Sequence, residues 1–235
     1  MVHGLGGTLN VWEPQVRALS ERYSIVRFDL PGSGRSPANG RLSIDGWVST
    51  IEGLMSELGI ERAHFVGHSL GTLIIQHFAV RNPHRVDRIA LLGVNQAPED
   101  ARRQTVRERA AKVRQEGMAG IAASVVSTAL SSETLQHKPE VVGFVRELLM
   151  GQDPEGYARS CEAVAESVGV DLSKLSAPVT LIAGADDKVS PVAISQRIVE
   201  ALHGAKLSLL DHCGHWMTLE QPHQVNTALA QFLQA

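Results

Sequence analysis

Short, continuous apolar runs recur along this chain between longer stretches whose apolar residues fall at helical spacing, and that alternation constrains the fold most. Residues 24–29 (SIVRFD), 63–67 (AHFVG), 89–94, 179–183 and 207–210 read as strands. Between them, residues 12–22, 44–58, 70–80, 191–202 and 222–233 read as helices. In 44–58 the residues Ile44, Trp47, Val48, Ile51, Leu54, Met55 and Leu58 form one apolar stripe. Pro191 and Pro222 open the last two helices, a position where the missing N–H costs nothing. Strands apolar along their whole length, separated by helices, imply a mostly parallel, doubly wound sheet covered on both faces. The fold class is α/β.

From 96 to 172 the strand signal stops. Helical patterns run over 101–116, 118–130, 139–150 and 154–166, separated by Gly, Ser and Pro. This block reads as a helical cap inserted into a core made of residues 1–95 and 173–235. With 235 residues, 43% of them hydrophobic and 20% charged, the chain has ample material for a buried core and is not a disordered one. A net charge of −3 without a basic run argues against nucleic acid and anionic membranes as partners. No apolar run reaches the roughly 18 residues of a membrane span, and MVHGLGGTLN is not a signal peptide. Cys161 and Cys213 read as reduced thiols, which places the protein in the cytoplasm.

Gly67-His68-Ser69-Leu70-Gly71 fits G-x-S-x-G, set between a strand and a very apolar helix. A sharp strand-to-helix turn holds such a serine in a strained conformation, at a helix N-terminus that favours developing negative charge. The other reading is a serine that merely caps a buried helix. A serine hydroxyl needs a base, and His215 suits that role because its loop follows the strand 207–210, at a carboxyl end of the sheet. His212 is its neighbour and rival. Asp186 and Asp187 follow the strand 179–183 in the same way, and only one of two adjacent residues can face the base. The glycine-rich loop His3-Gly4-Leu5-Gly6-Gly7 can bring the Leu5 N–H beside that of Leu70, so that the two form an oxyanion hole. No H-E-x-x-H or Cys/His cluster suggests a metal, and no cofactor is implied.

Taken together, these residues resemble the α/β-hydrolase superfamily over nearly the whole chain. The segment Asp29-Leu30-Pro31-Gly32-Ser33-Gly34-Arg35-Ser36 resembles its D-x-P-G-x-G-x-S loop. Gly184-Ala185-Asp186-Asp187 is similar to its G-x-x-D motif, which implies Asp187 as the triad acid. Gly214-His215 with Leu219-Glu220-Gln221-Pro222 resembles its G-H…E-x-P segment. Within the superfamily the likeness is to 3-oxoadipate enol-lactonases and related small carboxylic-ester hydrolases, carried by Asp153 to Ala163 of the cap. Thr72 departs from the second glycine that many members carry after Gly71.

The resemblance implies a hydrolase with a Ser69–His215–Asp187 triad acting on a small-molecule ester or lactone. C–C bond hydrolysis, cofactor-free perhydrolysis and simple ligand binding remain open on the same scaffold. The basic first helix of the cap offers an arginine, Arg107, to a substrate carboxylate; the same helix also reads as a solvated face balanced by Glu99, Asp100, Glu108 and Glu116. Trp216 lines the pocket or packs beneath the loop. In the superfamily the loop like His3–Gly7 follows a central strand, of which only Met1 and Val2 are present. The expectation is therefore a shortened form, with a gap beside residues 63–67, or another segment filling it. Oligomeric state is not written in the sequence.

Overall fold

The computed structural model describes residues 1–234. Four parallel strands lie in chain order, β1 (Ala63–His68), β2 (Val86–Leu92), β3 (Val179–Gly184) and β4 (Lys206–Leu210). The helices before β3 are α1 (Glu13–Leu19), α2 (Ile44–Glu57), α3 (Leu70–Arg81), α4 (Asp100–Glu116), α5 (Ala119–Ala129), α6 (Ser132–His137), α7 (Pro139–Met150) and α8 (Pro154–Glu166). After it come α9 (Val192–Ala201), α10 (Met217–Glu220) and α11 (Pro222–Gln234).

Alternate strand residues explain why both faces are covered. Phe65, Ile89, Leu91 and Leu181 share a core with residues of α2, α3 and α9. Val66, Ala90, Leu92 and Ile182 point the other way and join a second core that includes Leu19 of α1 and Leu229 and Leu233 of α11. The sheet is doubly wound, as the apolar runs required. The block between β2 and β3 is five helices, α4 to α8, with α4 packed along α8. Asp153 caps α8 by accepting the Gly156 N–H at 2.6 Å.

Residues 24–29 correct the sequence reading. They form no ladder, although their apolar side chains are those of a strand. A strand needs a neighbour along its full length, and here only Met1 and Val2 stand between this segment and β1. The Met1 amine donates to the Val26 carbonyl at 2.7 Å. Val2 is bridged to β1 through its N–H on the Val66 carbonyl and its carbonyl on the His68 N–H. Beyond these two residues lies a cavity of about 390 Å³, lined by Ile25, Phe28, Met55 and Phe65 among others. Burial lowers the Met1 amine to about 5. No ladder joins residues 24–29 directly to β1 among the described residues.

Candidate active site

Ser69 sits between β1 and α3 with φ of 53°, a region that non-glycine residues avoid. The strain is held from several sides. Its N–H donates to the Leu92 carbonyl at 2.9 Å, at the end of β2. A Cβ on Gly71 would stand 2.1 Å from the Val2 carbonyl oxygen, and one on Gly67 would stand 2.8 Å from that of Gly71. Both motif glycines are therefore set by backbone contact, and the turn can be this tight only with glycine there.

His215 and Asp187 come together from loops after β4 and β3. Nδ1 of His215 lies 2.7 Å from Oδ2 of Asp187, and both residues are buried. The second carboxylate oxygen accepts the N–H groups of Val189 and Ser190, each at 2.8 Å. Burial pushes the Asp187 carboxyl up. The His215 ring, through charge and hydrogen bond, and the two amides outweigh that and hold it below its usual range. Asp186 is exposed, as is His212, so neither rival joins the pair. The His215 backbone is fixed too, its N–H donating to the Ala129 carbonyl at 2.7 Å.

Four residues around the site, His68, Glu220, His3 and Asn95, make contacts that were not foreseen from the sequence. Nε2 of His68 donates to the His215 carbonyl at 2.7 Å, and burial lowers the His68 ring to about 3, so it stays neutral. The fully buried Glu220 carboxylate accepts the N–H groups of Gly214 and Trp216, at 3.1 and 3.0 Å, on either side of His215. It also accepts the Ser131 N–H and the Thr134 hydroxyl, which ties the base loop to the five-helix block. Nδ1 of His3 donates to the Gly4 carbonyl while Nε2 accepts the Leu30 N–H, pinning the glycine loop to the segment after Asp29. Finally, the Asn95 side-chain amide donates to Ser69 Oγ at 3.2 Å.

Ser69, Leu5, Leu70, His215 and Trp216 line one pocket of about 230 Å³. No hydrogen bond joins Ser69 Oγ to the His215 ring among the described residues; both side chains face the same pocket. A Cβ on Gly4 would meet the Ser69 Cβ at 2.7 Å, so the loop bearing Leu5 lies directly against the serine. Leu70 begins α3, and its N–H has no partner within the helix. Trp216 lines the pocket and also packs on His68, with ring centroids 5.7 Å apart.

Arg107 requires a correction. It is exposed and does not line the pocket; Arg102 and Arg109 of the same helix do, with Lys188 from the loop after β3. The helical period explains the difference, because Arg102, Val106 and Arg109 share one face and Arg107 lies about 100° away from Val106. Both cysteines are buried, and burial pushes Cys161 up to about 12 and Cys213 up as well, so neither is a reactive thiolate. No group of three or more metal-ligating side chains is found among the described residues. Nor is any helix long and apolar enough to cross a membrane.

The strained serine, the buried acid–histidine pair and the parallel sheet that places them define a class. Residues 1–222 match the family model described as the alpha/beta hydrolase fold, and the chain belongs to that family. It is 31% identical to 3-oxoadipate enol-lactonase 2 of Acinetobacter baylyi, over 97% of this chain and 85% of the relative. The enol-lactonase from Burkholderia xenovorans LB400 matches with a TM-score of 0.93 at 29% identity, over 100% of this chain and 90% of the other. A thermophilic esterase from Thermogutta terrifontis, at 24% identity, matches with a TM-score of 0.94 over 99% of this chain and 88% of the other, a likeness of fold alone.

Proposed function

We propose that this protein hydrolyses an ester or lactone of a small, carboxylate-bearing molecule through an acyl-enzyme on Ser69. The observation that carries the reading is the His215–Asp187 hydrogen bond at a pocket that also contains Ser69. Ser69 Oγ attacks the carbonyl carbon while Nε2 of His215 takes its proton. Asp187 holds Nδ1–H and stabilises the imidazolium, and the N–H groups of Leu5 and Leu70 receive the oxyanion. His215 then protonates the leaving oxygen, which in a lactone stays attached to the acyl group. Water attacks the acyl-enzyme, gives its proton to His215, and the acid leaves as Ser69 recovers its hydrogen.

Substrate class follows from the pocket's size and charge. About 230 Å³ suits a small molecule. Arg102, Arg109 and Lys188 line it, and none of them is in an ion pair among the described residues. Cations without acidic partners beside an apolar wall suit a substrate that brings its own carboxylate. The relatives named as enol-lactonases support the lactone reading. Residues 1–95 and 173–235 would then be the catalytic core, with 96–172 as the lid that selects substrate.

The test is a panel of paired substrates. Lactones and aryl esters with and without a carboxylate should separate, with kcat/KM higher for the carboxylate-bearing member of each pair. Turnover of a vinylogous diketone, or peracid formation, without ester or lactone cleavage would contradict the proposal.

A further inference from the structure

Thr72, the residue that departs from the familiar glycine, has a defined place in the structure. Its side chain is fully buried. The hydroxyl donates to the Ser69 carbonyl at 2.6 Å and accepts the Asn95 N–H at 2.8 Å. One turn further along α3, the buried Gln76 amide donates to the Asn95 carbonyl at 3.0 Å, and to that of Thr72 at the same distance. Residue 95 lies three positions beyond β2, outside any ladder, yet both of its backbone polar groups are held by side chains of the nucleophile helix. Its own amide is thereby aimed at Ser69 Oγ, 3.2 Å away, inside the pocket.

We infer that Asn95 is a further catalytic residue, a hydrogen-bond donor to the nucleophile oxygen, and that Thr72 and Gln76 are the positioning residues that hold it there. The inference rests on Ser69 being the nucleophile. A serine oxygen has one proton and two lone pairs. The proton goes to Nε2 of His215, one lone pair accepts from Asn95, and the other forms the bond to the carbonyl carbon. The Asn95 donor fixes the rotamer of Oγ and stabilises the negative charge that grows on it as the proton leaves. Thr72 acts through residue 95: a glycine at 72 would leave the Asn95 N–H without its acceptor.

Reaction of Ser69 with an aryl fluorophosphonate reads this step directly, since Oγ displaces fluoride at phosphorus and no natural substrate need be known. Asn95→Ala should slow the rate constant of inactivation about tenfold, the worth of one hydrogen bond, and lower kcat for p-nitrophenyl acetate similarly with little change in KM. Thr72→Ser, which keeps the hydroxyl, should react like the parent, whereas Thr72→Val should react like Asn95→Ala. Melting temperatures taken beside each rate separate misfolding from lost chemistry. Inactivation of folded Asn95→Ala within twofold of the parent would overturn the inference, and so would equal rates for Thr72→Ser and Thr72→Val. Ser69→Ala run in parallel distinguishes the two levels: if it still takes up the probe stoichiometrically, the nucleophile assignment itself is wrong.

Discussion

Asp187 and His215, 28 positions apart in the chain, meet at 2.7 Å with both side chains closed off from solvent. The carboxylate has no freedom to serve anything else, because its other oxygen is bound to the Val189 and Ser190 amides. That arrangement fixes the ring's tautomer, with hydrogen on Nδ1 and a free lone pair on Nε2. Asp187→Asn would present an amide that donates as readily as it accepts. It should lower kcat by about 10³- to 10⁴-fold, while Asp186→Asn stays near the parent. Steady-state kinetics on p-nitrophenyl acetate, with circular dichroism as the fold control, checks the contrast.

Glu220 acts on the same histidine from behind. Its carboxylate binds the amides of Gly214 and Trp216 and reaches Ser131 and Thr134 of the helical block. Glu220→Gln replaces one acceptor oxygen by an NH₂ that faces an N–H or hydroxyl. The cost should be about 1–3 kcal/mol of stability, read as a melting temperature several degrees lower. Activity should fall mainly in kcat, because the base loop loosens while the pocket lining remains. A variant that melts like the parent would show that the clamp contributes nothing.

Stability should also fall as the pH is lowered. His68 is held neutral by burial, its value lowered from 6.5 to about 3, and His3 is shifted in the same direction, again chiefly by burial. In the unfolded chain these rings protonate near 6.5. Between 6.5 and about 3 the unfolded state therefore binds more protons, and acid favours unfolding. The depressed Asp187 has the same sign at carboxylate pH, since its contribution is lost as it becomes protonated. Thermal melts from pH 7.5 to 4.5 should show a steady decline, and His68→Asn should make it shallower. A flat profile would contradict the burial argument.

Much of the site was legible because it is written in local chemistry. The elbow around Ser69 needs two glycines within five residues, and the four ladder strands are apolar enough to be read alone. What escaped was set by distant partners. Residues 24–29 have the side chains of a strand, but ladder formation depends on a neighbour that Met1 and Val2 supply only at one end. Arg107 and Arg109 look alike in sequence, and only the packing of α4 on α8 decides which one meets the pocket. Asn95 lies in no motif, and Glu220, although part of the G-H…E-x-P likeness, shows its role only through the amides of Gly214, Trp216 and Ser131 and the Thr134 hydroxyl that the fold gathers around it. The short helices α6 and α10 span too few residues to show a period.

The central claim is that Ser69 is the nucleophile, and replacing its hydroxyl tests that most directly. Hydrolysis of p-nitrophenyl acetate should be measured for the parent and for Ser69→Ala, with melting temperature and circular dichroism recorded on the same samples. The account predicts a folded variant whose kcat is lower by about 10³-fold or more. A folded Ser69→Ala protein that turns over the ester at the parent's rate would contradict it.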